Sequence, residues 1–140
     1  MSAGQSRIKK HLKEIIMDKV LLGSRIVLGL IFTVFGLNGF FNFIPMPPPA
    51  PEMGAFMGAL AASGYFFPLL KGTEVLVGLA LLSGKFVPLA LIVLAPISIN
   101  IFFVHAVIDP AGLPMGILVL ALHLVLIKGN WESYKELFKA

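Results

Sequence analysis

The sequence predicts an all-α integral membrane protein: a four-helix bundle with interfacial amphipathic helices at its N- and C-terminal ends. Three observations carry that expectation. Of 140 residues, 58% are apolar and only 13% charged, and the mean hydropathy of +0.95 exceeds what a water-soluble surface tolerates. The apolar residues come in long runs, unlike the alternating segments of roughly ten residues that build membrane β-barrels. Prolines and charges punctuate those runs at intervals that suit helices crossing a bilayer.

The elements follow in order. In residues 1–19, Ile8, Leu12, Ile15 and Ile16 recur at helical spacing among Lys9, Lys10 and Lys13, as in a basic amphipathic segment on a membrane surface. Five of the eleven basic residues (Arg7, Lys9, Lys10, Lys13, Lys19) precede the first long apolar run. The net charge of +4 therefore points to a bilayer with anionic headgroups as partner, and not to nucleic acid. The run 20–43 exceeds a signal-peptide core of roughly 7–15 residues and has no small-x-small cleavage pattern after it, so it stays as the first span.

Pro45, Pro47, Pro48, Pro49 and Pro51 make residues 45–51 a stiff, extended connector. A short helix over 52–63 follows, with Gly54, Gly58 and Ala62 at small-xxx-small spacing and Phe56, Met57 and Leu60 between them. Three more spans, 66–83, 86–108 and 110–127, each carry a proline near the first turn (Pro68, Pro88, Pro114). Together these complete a membrane domain over 20–128. Residues 129–140 read as an amphipathic C-terminal segment with Trp131, Tyr134 and Phe138 opposite Glu132 and Glu136. Basic residues cluster before span one, between spans two and three (Lys85) and after span four (Lys128, Lys135, Lys139). The positive-inside rule places these segments, and both termini, in the cytoplasm.

Ionisable groups inside spans are costly and mark pathways, pairs or ligand sites, so they are the candidate functional residues. Counted at ~1.5 Å per residue from the cytoplasmic ends, Arg25 lies ~7 Å deep, Glu74 ~14 Å and His123 ~6–8 Å. Arg25 shares a face with Gly29, Phe32, Gly36 and Gly39, and Glu74 with Lys71 and Gly78. An Arg25–Glu74 ion pair is expected, serving either a site or the locking of helices one and two. His123 reads equally as a packing residue and as one that contacts a ligand or carries a proton.

A second polar tier nearer the outer face holds Asn38, Lys71, Asn100, His105 and Asp109, with His105 and Asp109 at i,i+4 spacing. Lys71 either snorkels outward, pairs with Glu74 or meets a substrate. Asn100 lies about 140° from His105 around its helix, so a shared cavity does not follow from spacing. Pro96 is expected to kink span three and free the carbonyl of Ile92.

The chain has no cysteine, which excludes disulfides, thiolate nucleophiles, iron–sulfur ligation and covalent c-type haem within it. A haem clamped by His105 and His123 fails on depth, since the two differ by more than ~15 Å. No nucleophile–base pair, phosphate loop or metal-ligand cluster is legible, which leaves stand-alone catalysis little support.

The segments "RIVLGLIFTVFGLNGF" and "GTEVLVGLALLSGKFVPLALIVLAPI" resemble the DoxX-like family of small bacterial membrane proteins. The shared features are an arginine followed by a glycine seam, then a glutamate followed by glycine and a leucine-rich helix ending in glycine. The resemblance covers about residues 25–128. It implies a four-helix membrane bundle in the bacterial inner membrane, with Arg25 and Glu74 as family-type positions and His123 beside them. Some relatives are subunits of thiosulfate:quinone oxidoreductase or are linked to oxidative stress and quinone handling. The long proline connector, and Asn38 near where many relatives carry lysine, are departures from the family pattern. What the resemblance implies is an accessory membrane subunit of a quinone-linked redox or oxidative-stress assembly. Its ligand is a quinone or another lipid-soluble molecule, and its partner is a redox protein or a second copy. A small proton-coupled carrier using Glu74 and His123, and a purely structural adaptor, are the alternatives from other classes.

Overall fold

The computed structural model describes residues 3–139. Met1 and Ser2 of the N-terminal segment and Ala140 of the C-terminal one lie outside them. Six α-helices follow in order: α1 (Ala3–Phe41), α2 (Pro51–Ala62), α3 (Phe66–Ser83), α4 (Val87–Val107), α5 (Leu113–Gly129) and α6 (Trp131–Tyr134). Short 3₁₀ turns lie at Pro110–Gly112 and Lys135–Phe138. Strands are absent among the described residues. Four helices are long and apolar enough to cross a membrane: α1, α3, α4 and the stretch Pro110–Gly129.

The predicted separation between a surface segment ending at residue 19 and a span beginning at residue 20 is not a break in the chain. α1 runs through it as one helix of 39 residues. No proline interrupts the passage, and Gly23 alone is a tolerable defect in a helix interior. Ile8, Leu12 and Ile16 remain exposed on this extension. α1 ends where Asn42 takes a left-handed conformation (φ 48°), which asparagine accommodates better than most residues. The Asn38 side chain seals the exit by accepting the Ile44 N–H at 2.7 Å.

The prolines act as anticipated. Residues 45–50 form no regular element, and Pro51 starts α2 at a position where its missing N–H costs nothing. α3 ends at Gly84 (φ 72°) in a left-handed cap. α4 begins after Phe86, also left-handed at φ 57°, and keeps Pro96 in its interior.

α1 packs on α3 and α5, and α4 packs on α5 and α3, so the four long elements close a ring. Contact between α1 and α3 is closest because glycine occupies both sides. A Cβ on Gly29 would lie 3.1 Å from the Gly78 carbonyl, and one on Gly36 would lie 3.0 Å from the Val75 nitrogen. The glycine seam is therefore a backbone-to-backbone contact. The two helices meet along it without a gap. Leu28, Leu81, Leu91, Leu94 and Leu126 fill the core toward the α3–α4 turn.

Tyr134 does not share a surface face with Trp131 and Phe138. Trp131 and Phe138 stack on each other at 5.7 Å, whereas Tyr134 is buried and donates to the Pro88 carbonyl at 2.9 Å. The helical turn after Asn130 carries it back over the start of α4.

Candidate ligand-binding site

At the other end the helices part around a cavity of about 770 Å³. Its walls come from α1 (Phe32, Phe35), from α2 (Met53, Phe56, Met57, Leu60), from the start of α3 (Phe66, Phe67), and from α4 and α5 (Ile97, Ile101, Met115). α2 supplies one wall because its apolar side turns inward.

Five polar side chains reach this apolar space: Lys71, Glu74, Asn100, His105 and Asp109. Lys71 lays its aliphatic stem across Gly39, where an added Cβ would fall 2.6 Å from its Cγ and Cδ. Its Nζ donates to Glu74 Oε2 at 2.8 Å, and Glu74 is only 4% exposed. The expected Arg25–Glu74 pair is thus replaced by a pair within α3. A lysine one turn before a glutamate reaches it without crossing between helices.

His105 Nδ1 lies 3.4 Å from Asp109 Oδ2 and 3.3 Å from the Asp109 carbonyl oxygen. The anticipated i,i+4 contact therefore exists and faces the cavity. Asn100 also lines it, despite its angular offset from His105, because the opening spans a wide arc of α4. The Asn100 amide makes no hydrogen bond among the described residues, so its donor and acceptor are free for a ligand.

Three candidates fall elsewhere. Arg25 sits at the opposite end, its guanidinium against Gly84. His123 is 3% exposed and packs between helices, with Nε2–H donating to the Leu91 carbonyl at 3.0 Å and Nδ1 accepting from Ser98 Oγ at 2.5 Å. Both ring nitrogens are occupied, and the carbonyl used is that of Leu91, one residue before the one expected to be freed by Pro96. Asn38 is committed to the end of α1.

Sequence reasoning missed the α2 and phenylalanine walls. The available signal was the apolar set Phe56, Met57 and Leu60 on a helix too short to span. Such a helix must cover something or lie in the interface. Among the described residues no group of three or more His, Asp or Glu could hold a metal ion. The arrangement suits a largely apolar molecule with a polar head, which would bury its body among phenylalanine and methionine and meet Lys71, Asn100 and His105 with its oxygen atoms. No family model, curated protein or solved structure matches this chain.

Proposed function

We propose that this is a DoxX-like multi-pass protein of the bacterial cytoplasmic membrane, a four-helix bundle with both termini cytoplasmic. In this reading its cavity binds a quinone or similar lipid-soluble ring molecule, and it works as an accessory subunit of a quinone-linked redox or oxidative-stress assembly. The observation that carries the reading is the cavity itself. A volume of about 770 Å³ falls in the usual range for small-molecule sites of roughly 300–1,000 Å³. Polar groups sit among aromatic walls, as recognition of ring carbonyls requires, with the Lys71 ammonium and the Asn100 amide as donors.

The test is thermal unfolding of the detergent-purified protein with a short-tailed ubiquinone. Wild type should be stabilised as RT ln(1 + [L]/Kd), about 2.7 kcal/mol at a hundredfold excess over Kd. Ile101→Trp, which fills the cavity, should remove the shift, and His123→Leu should keep it. A wild-type protein with no quinone-dependent shift at saturation overturns the reading.

Two acid–base pairs on one cavity, Lys71–Glu74 and His105–Asp109, favour a second reading as a small proton-coupled carrier. Uptake into proteoliposomes driven by a proton gradient, and lost in Glu74→Gln, would select it over the first.

A further inference from the structure

Basic residues are distributed very unevenly along the helix axes. Ten of the eleven lie in segments at or beyond the end carrying the α3–α4 turn, with four of the seven acidic residues; Lys71 alone stands at the cavity end. Two of those four acids are already taken, Glu132 by Lys135 and Glu136 by Lys139.

Within this basic end Arg25 differs from the lysines of the α1 extension. It is half-buried on the packed face of α1, beside buried Ser24 and one turn from Leu21, which covers Gly129 of α5. Its guanidinium presses on Gly84, where any side chain would collide with Nη1. The carbonyl end of α3 favours a cation there. Yet none of the Arg25 N–H groups meets an acceptor among the described residues. The helices thus fix the guanidinium in place and leave its donors open.

The surroundings have the character of an amphiphile's partner. Lys85 follows Gly84 directly, and Lys128 precedes Gly129. Phe86, held in the same turn, is 75% exposed, and Leu22 of α1 is 53% exposed. A planar, always-charged fork backed by a second cation matches a phosphate, and apolar side chains beside it match an acyl chain.

We infer that Arg25 and Lys85 form a site for the phosphate headgroup of an anionic phospholipid, with its acyl chain against Phe86. This site is separate from the cavity and does not depend on the quinone reading. The lysines between residues 9 and 19 contribute only diffuse attraction, since they stand on an exposed helix.

The full-length protein in neutral detergent is titrated with phosphatidylglycerol, phosphatidylcholine or sodium phosphate, with bound lipid read by native mass spectrometry and stability by thermal unfolding. Phosphatidylglycerol should bind one-to-one and raise Tm, while phosphatidylcholine and inorganic phosphate at equal concentration should not. Arg25→Gln should weaken phosphatidylglycerol roughly tenfold, Arg25→Lys should restore part of that, and Lys10→Gln, the same charge change on the exposed helix, should cost less than about twofold. Should Arg25→Gln fail to fold, Lys85→Gln against Lys10→Gln decides, with about a threefold difference expected. Equal losses at the compared positions, equal binding of phosphatidylcholine, or an equal effect of inorganic phosphate would each overturn the site.

Discussion

Around Gly84 and Gly129 the helices close on Leu28, Leu81, Leu91 and Leu94, all 0% exposed. Around Gly39 and Gly112 they part about 770 Å³. Large apolar side chains line both regions, Leu28 and Leu91 in one and Phe32 and Phe56 in the other, so residue type alone does not explain the contrast. Connections do. The α3–α4 turn is short, using two left-handed residues, Gly84 and Phe86, to bring α4 straight back. The α1–α3 connection instead runs through a proline-rich stretch and a whole extra helix. Short turns force neighbouring helices into contact, whereas a stiff connector sets a distance that side chains then have to fill or leave open. Charge follows the same division. Both ion pairs of the cavity end line its wall, while the closed end carries an excess of cations around a filled core.

Leucine truncation should break this comparison most visibly. Leu91→Ala, at the closed end, is expected to cost about 3 kcal/mol, because its neighbours cannot collapse into the space. Leu60→Ala on the cavity wall should cost less than about 1 kcal/mol, since it enlarges an opening that already exists. Reversible unfolding in mixed micelles measures both, and equal losses would mean that the cavity is filled in solution.

The charge contrast is probed by Lys71→Met, which strands the buried Glu74 carboxylate and should destabilise by about 2–3 kcal/mol. Adding Glu74→Gln should recover part of that loss, giving a clearly non-additive cycle. Arg25→Gln combined with Glu74→Gln should be additive, because Arg25 lies against Gly84, ten residues or ~15 Å along α3 from Glu74. Coupling between them would reinstate the interhelical pair.

His123 belongs to the closed end by geometry. His123→Leu should lower stability by about 2 kcal/mol, leaving the Leu91 carbonyl without its donor, with ligand affinity at the cavity unchanged. A variant that folds normally but no longer binds ligand would move His123 back into the site.

The smallest effect sharpens the picture of the closed end. Tyr134→Phe should cost about 1 kcal/mol through the lost bond to Pro88. Burial raises the Tyr134 pKa above its ordinary 10.0, because the neutral phenol is the form that fits. The folded state then holds its proton more tightly than the unfolded one, so the contribution is fully present below pH 10.0 and fades as pH rises through the higher folded value. Wild type should therefore lose Tm relative to Tyr134→Phe above that pH. Parallel melting curves of the two would contradict this.

Element types were legible because hydropathy runs and prolines act locally. Pro51 and Pro88 begin helices and Gly84 ends one for reasons contained in a few residues. The glycine seam was legible too, as Gly29 and Gly78 meet. What spacing did not supply was the axial register of one helix against the next. Depth counting placed Arg25 within reach of Glu74, yet the face of α1 that meets α3 there directs the arginine to Gly84, and the lysine three residues before Glu74 takes the carboxylate. His123 was visible as a buried polar group, but its partners Ser98 and Leu91 lie on another helix. The cavity was the least legible feature, since it depends on where α2 rests. Its polar residues were legible in part: the outer tier of Asn38, Lys71, Asn100, His105 and Asp109 contains four of the five, but Asn38 turns to the end of α1 and Glu74 reads by depth with the inner group.

An uninterrupted α1 also makes the molecule a lever. It crosses α3 along the seam from Gly29 to Gly36, and from Gly29 the helix extends ~14 Å to Asn38 but ~32 Å to Ile8. Any tilt about that crossing moves the two arms in opposite directions, with the exposed arm travelling more than twice as far as the one beside the cavity. A shift too small to detect at Phe35 or Asn38 becomes a measurable displacement at the far tip, so a spin label near Ile8 would act as a gauge of the cavity's width.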